Sequence, residues 1–169
     1  MAAPNRLDLK EATVKLLDGS GTPNELEFIF DEGNMTWTEE RSIEIQPNRG
    51  VISSGSARLG DEIPCKVTLE GRFNTLKGVS GEDVPVREFL KGEGLASAFV
   101  TTGAECEPYA VDIQVEVDRT CSTLTTPDEI MTFSAFMYES ISVDMKAGTI
   151  SISGMCKAVG PTSTRTTLS

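Results

Sequence analysis

The stretch Met35-Thr-Trp-Thr-Glu-Glu-Arg-Ser-Ile-Glu-Ile-Gln46 sets the fold class. One set of alternate positions reads Met35, Trp37, Glu39, Arg41, Ile43 and Ile45. The other reads Thr36, Thr38, Glu40, Ser42, Glu44 and Gln46, polar without exception. Successive side chains of a β-strand point to opposite faces, so this period of two predicts one long strand with a wholly wetted face. The pattern recurs. Cys65, Val67, Leu69, Gly71 and Phe73 alternate with Lys66, Thr68, Glu70, Arg72 and Asn74, and Val111, Ile113, Val115 and Val117 with Asp112, Gln114, Glu116 and Asp118. Ile141, Val143 and Met145 lead through Lys146-Ala-Gly-Thr149 into Ile150-Ser-Ile-Ser-Gly154, a hairpin signal with Gly148 in its turn. Leu9–Leu17 and Leu26–Phe30 add two strands on either side of the turn cluster Asp18-Gly-Ser-Gly-Thr-Pro-Asn24. Met131–Met137, apolar on both faces, predicts a central, fully covered strand. The chain reads as mainly β.

One stretch reads as a helix. Ser80-Gly-Glu-Asp83 has the spacing of a capping box, Val84, Val86, Phe89 and Leu90 supply a short apolar stripe, and Gly92 suits a C-terminal cap. Such a short helix is expected to plug an open edge of the sheet. Residues 47–64, with Asn48-Arg-Gly50, Ser53-Ser-Gly-Ser56 and Gly60-Asp-Glu62, are too many for a tight hairpin loop and predict a long, mobile projection. With no core of its own, that projection is expected to order against something else. Residues 158–169 lack periodicity and predict a flexible C-terminal tail, and no repeat or second domain divides residues 1–169.

The chemistry is defined mostly by exclusion. The 169 residues hold 15 Lys+Arg against 26 Asp+Glu, a net charge of −11, and no histidine. Triads and dyads built on imidazole, histidine zinc sites and histidine proton shuttles are therefore out. The negative charge opposes a phosphate-gripping nucleic-acid interface. No P-loop, complete dinucleotide fingerprint, nucleophile elbow or EF-hand loop is present. Carboxylate pairs such as Glu39-Glu40 and Asp61-Glu62 lack the apolar surroundings that raise a pKa. We expect no catalytic residues, no cofactor and no metal. The first ten residues hold no apolar run of signal-peptide length, and no run approaches a membrane span, so a protein made in a cytoplasm with no membrane partner is expected. Cys65, Cys106, Cys121 and Cys156 have no Cys-x-x-Cys spacing and read as buried thiols, with a structural metal or a late disulfide as the alternatives. The polar strand faces fit either bulk water or the wall of a wetted channel; periodicity does not choose.

Several segments, in this order, resemble the tail tube proteins of long-tailed bacteriophages. They are Asp31-Glu-Gly-Asn-Met-Thr-Trp-Thr-Glu-Glu-Arg41, Gly60-Asp-Glu-Ile-Pro64, Val86-Arg-Glu-Phe-Leu-Lys-Gly92 and Cys106-Glu-Pro-Tyr-Ala-Val-Asp-Ile113. Phe133 through Tyr138-Glu-Ser-Ile-Ser-Val-Asp144 and Gly148-Thr-Ile-Ser-Ile-Ser-Gly-Met-Cys156 complete the set, from Lys15 to Lys157. The resemblance implies a β-sandwich of two antiparallel sheets with one short flanking helix and a long hairpin or loop extension. It implies a virion protein whose homohexameric rings stack into a tube, contact other tail proteins and pass phage DNA without binding it specifically. On that reading Thr36, Thr38, Glu40, Ser42, Glu44, Gln46, Lys66, Thr68, Glu70 and Arg72 face the lumen. The 47–64 projection, with Asn48, Arg49, Arg58, Asp61 and Glu62, reaches a neighbouring subunit or ring. A β-sandwich binding or adhesin-like module of a virion is the alternative. It has no need of so long a hairpin.

Overall fold

In the computed structural model, which describes residues 12–28, 34–72, 75–77, 83–117 and 129–165, the period-two segments become strands. In chain order these are β1 (Ala12–Leu17), β2 (Glu25–Phe28), β3 (Asn34–Thr38), β4 (Arg41–Asn48), β5 (Val51–Glu62), β6 (Lys66–Arg72), β7 (Thr75–Lys77) and β8 (Asp83–Pro85). Helix α1 (Val86–Lys91) and a 3-10 turn at Gly94–Ala96 follow, then β9 (Val111–Val117), β10 (Glu129–Asp144), β11 (Thr149–Cys156) and β12 (Thr162–Arg165). Eight strands hydrogen-bond in the antiparallel order β2-β1-β9-β10-β11-β6-β3, with β12 joined to β10.

The 16-residue β10 organises this sheet. Its first part, Glu129–Phe133, pairs with β9, and Glu129–Thr132 pair with β12; its second part, Phe136–Asp144, pairs with β11, and Phe136 also keeps β9 as a partner through Val111. Ala135 lies between the two parts at φ 49, a left-handed conformation that costs a non-glycine residue about 1–2 kcal/mol. Its N–H donates to Asp112 Oδ1 at 2.8 Å, which secures the bend. A strand that bends and changes partner turns one sheet into two facing layers. Val14, Leu16, Ile113, Val115 and Phe133 of the first layer and Val67, Leu69, Ile150 and Ile152 of the second are buried in one core. Trp37 of β3 meets Phe133 of β10 edge-on across the layers, with centroids 5.5 Å apart. The protein is thus mainly β, a two-layered antiparallel sandwich with one short α-helix among the described residues.

Several expectations change in detail. The Met35–Gln46 strand divides at Glu39-Glu40 because its partner changes: β3 pairs with β6, whereas β4 pairs with β5. Of the two forms expected for the projection at 47–64 it takes the hairpin, with Pro47 and Asn48 ending β4, Arg49-Gly50 turning and Val51–Glu62 forming β5, and Thr162–Arg165 of the expected flexible tail pair with β10. Met131–Met137 is not covered throughout, since the bend leaves Ser134 exposed. The helix starts at Val86 with no side-chain cap, and Val84 lies in β8. Proline disfavours helical backbone in the residue before it, so Pro85 holds Val84 extended. Gly92, at φ 62, caps the C-terminus as expected, and Val86, Phe89 and Leu90 enter the core. Cys65 and Cys156 are buried, but Cys106 is exposed. The expected strand ends at Leu9, Phe30, Phe73-Asn74 and Asp118, the Ser80 cap and Cys121 lie outside the described residues.

Candidate functional site: a hydroxyl face and a projecting arm

The second layer, β10-β11-β6-β3, carries a polar outer face whose composition follows from register. Thr36, Thr68, Ser153 and Ser140 form one cross-strand row, and Asn34, Glu70, Ser151 and Ser142 the next. Arg72, Thr149 and Asp144 continue it on one side, and Thr38, Lys66, Met155 and Met137 on the other. The Ser140 and Ser153 hydroxyls lie 2.8 Å apart. These rows carry Lys66 and Arg72 against Glu70 and Asp144, so their formal charge is 2 − 2 = 0 in a chain whose net charge is −11. Short hydroxyls and balanced charges make a wetted surface without a basic stripe or an aromatic platform.

Both edges of this layer are open among the described residues. β3 pairs only with β6, and β10 beyond Phe136 pairs only with β11. An unpaired strand edge presents a row of N–H and C=O groups to any strand that can reach it.

The other feature is the arm. Among the described residues β4 and β5 pair with each other alone, through Ile43 opposite Leu59, Glu44 opposite Arg58 and Ile45 opposite Ala57. The two-residue turn, Arg49 at φ 49 and Gly50 at φ 79, has the doubly positive geometry favoured in tight hairpins. Arg58 pairs with Glu44 at 2.6 Å on one face, both side chains more than half exposed. The opposite face is apolar and uncovered: Ile43, Ile45 and Leu59 are 58%, 54% and 61% exposed. A lone two-stranded hairpin is marginal in water, and an exposed apolar row marks an interaction surface.

Register therefore regroups the residues expected at the lumen. Thr36, Thr38, Lys66, Thr68, Glu70 and Arg72 share the hydroxyl face, whereas Ser42, Glu44 and Gln46 depart on the arm and Glu40 sits in the link before it. Asn48 and Arg49 lie at the arm's tip, Arg58 in its stem, and Asp61 and Glu62 at its root. Ser140, Ser142, Asp144, Thr149, Ser151 and Ser153 join the face without having been expected there. Alternation with Ile141, Val143, Ile150 and Ile152 marked them as polar-facing, but nothing in the sequence aligned them with Thr68 and Thr36.

Two concavities of about 420 Å³ flank these features. One lies at the arm root beside Glu40, Asp61 and Glu62, the other between α1 and β10 beside Arg87, Lys91 and Ile141. Among the described residues no group of three His, Cys, Asp or Glu side chains could hold a metal ion. No helix among them is long and apolar enough to cross a membrane.

No family model and no curated protein sequence matches the chain. Solved structures do. The tube-terminating cap of the anti-feeding prophage superposes with a TM-score of 0.61 at 10% identity, over 98% of this chain and 95% of that one. A chain of the sheath/tube terminator of an extracellular contractile injection system, PVC, gives 0.58 at 12% identity, over 96% and 99%. A chain of the extended PVC sheath-tube complex gives 0.56 at 11% identity, over 98% and 95%. At these identities the likeness establishes a shared fold: this chain has the fold found in tube-associated components of contractile injection systems.

Proposed function

We propose that the chain is a non-enzymatic structural subunit of a phage-type tail tube, closing into rings whose wall is the β10-β11-β6-β3 layer. The observation that carries this reading is a polar, electroneutral half-sheet with both edges open. Edge-to-edge pairing of β3 of one copy with β10 of the next covers both open edges of this layer and joins the hydroxyl faces into one surface. Six copies, the number the resemblance implies, would supply 4 × 6 = 24 strands. At about 4.8 Å between strands this is a circumference of about 115 Å, a barrel about 37 Å across before tilt widens it further. That leaves a bore for a nucleic-acid duplex. A wall without net positive charge lets the duplex pass, because phosphate-binding cations would hold it through counterion release. The uncovered face of the arm then serves contact between subunits or rings, and other tail proteins cap the tube. A ring that terminates a tube uses the same lateral edges and is distinguished by forming single rings rather than stacks.

The test is negative-stain microscopy of concentrated protein, combined with hydrogen exchange on dispersed and assembled samples. Ring-shaped particles with slowed exchange at residues 34–38 and 138–144 are expected. Dispersed monomers at high concentration, or assemblies whose two edges exchange as fast as in the monomer, would overturn the reading.

A further inference from the structure

The ring reading leaves open what the arm root touches. β3 ends at Thr38 and β4 starts at Arg41, so only Glu39 and Glu40 separate an edge strand from the arm. The α1/β10 concavity is lined by Tyr138, Ile141 and Val143, residues of the same open edge of β10 that receives β3 of the neighbouring copy. Closing a barrel staggers neighbouring strands, and a stagger that carries β3 along β10 from the row of Met137 toward Asp144 sets the link and the arm root beside that concavity. The charges match. Glu39, Glu40, Asp61 and Glu62 with Arg41 give the root 1 − 4 = −3, while Arg87 and Lys91 with Glu139 give the groove 2 − 1 = +1. Among the described residues, neither Arg87 nor Lys91 forms an ion pair within its own chain. The apolar part of the groove includes Val143, 36% exposed, and the root adds Leu59, 61% exposed.

We propose that the acidic arm root of one copy docks in the α1/β10 groove of the next, with Glu40, Asp61 and Glu62 meeting Arg87 and Lys91 and Leu59 packing toward Val143. This rests on the edge pairing proposed above and adds a charge-matched clasp outside the sheet. Each side of the clasp is solvated in the monomer, so desolvation on docking is partial and the attraction falls with added salt.

The test is a charge exchange. Arg87→Glu with Lys91→Glu reverses the groove, and Glu40→Lys with Glu62→Lys reverses the root. Each double variant is expected to keep the monomer's melting temperature within about 4 °C, since Arg87, Glu40 and Glu62 are exposed and Lys91 is half-buried, and to lose at least tenfold in assembled fraction by sedimentation. Mixing the two variants one to one restores assembly, because alternating copies then present a reversed root to a reversed groove and a native root to a native groove. Combining all four substitutions in one chain restores it too. If either double variant assembles like the wild type, or neither combination rescues, the clasp is wrong while wild-type rings still support edge pairing. If the wild-type chain forms no rings, both readings fail together.

Discussion

Replacing Asp112 by alanine tests whether the bend in β10 holds the two layers together. The carboxylate accepts the N–H of Ala135 at 2.8 Å, and Ala135 is only 8% exposed. A hydrogen bond to a charged acceptor contributes about 1.5–3 kcal/mol, and its loss leaves a buried N–H without a partner. We expect Asp112→Ala to lower stability by about 2–3 kcal/mol, or about 5–10 °C in melting temperature for a chain of this size. Ala135→Gly provides the control. It relieves about 1–2 kcal/mol of left-handed strain, and offsets this with greater unfolded-state entropy and one lost methyl group, so it falls within about 0.5 kcal/mol of wild type. In a chain that already carries Ala135→Gly the bend no longer has to be held against strain, and Asp112→Ala costs about half as much. The assay is urea unfolding of dilute monomer followed by fluorescence of Trp37, the sole tryptophan, which packs on Phe133 across the layers and reports their separation. A loss under about 0.5 kcal/mol for Asp112→Ala, or a loss above about 1 kcal/mol for Ala135→Gly, refutes the reasoning.

Three further outcomes are expected. Gly154→Ala places a Cβ 2.2 Å from the Met137 carbonyl oxygen and 2.8 Å from the Phe136 ring, so the β10–β11 ladder must shift; chemical denaturation should show a loss of about 2–3 kcal/mol. Asp18 is buried, which alone would raise its pKa, but the hydrogen bonds from Ser20, Asn24 and Val100 outweigh burial and hold it below its ordinary 3.8. Because the folded-state pKa is the lower one, its contribution is complete above the unfolded value and is lost as pH falls through the folded value. The stability gap between wild type and Asp18→Ala should therefore shrink as pH drops below about 4, and a gap that widens there contradicts the assignment. Burial pushes the Cys65 thiol up and that of Cys156 to about 12, whereas Cys106 is exposed. Alkylation of native protein at neutral pH, mapped by peptide mass, should modify Cys106 and spare Cys65 and Cys156 until the chain is unfolded.

The strands were legible because alternation is a local property: a strand between a core and water must write its two faces into consecutive residues. Partner identity is not local. From Met35 to Gln46 the polar set continues unbroken, but Glu39 and Arg41 interrupt the apolar one where the sheet ends at Thr38 and an independent hairpin begins at Arg41. The break lies in what stands opposite, Lys66 for Thr38 and Glu62 for Arg41. Thr162–Arg165 gave no signal because every residue of that strand is exposed and its cohesion comes from the ladder to β10. The hydroxyl face was half visible for the same reason. Thr36 and Thr68 were found on their own strands, but their alignment with Ser153 and Ser140 depends on register and on the break between Tyr138 and Ser140. The helix start was misread because a capping-box spacing at Ser80 competes with the stronger steric demand of Pro85 on Val84.

β10 also defines a path for mechanical load. One continuous backbone belongs to both layers, so a force drawing the hydroxyl layer away from the other cannot simply peel two sheets apart. It pulls along residues 129–144 and loads the ladders to β9 and β11 in shear, with many hydrogen bonds resisting at once rather than opening in turn. Ala135 is where that pull changes direction, and the Asp112 carboxylate braces the chain there. In a wall made of such subunits, sideways tension would be carried through each chain by its longest strand.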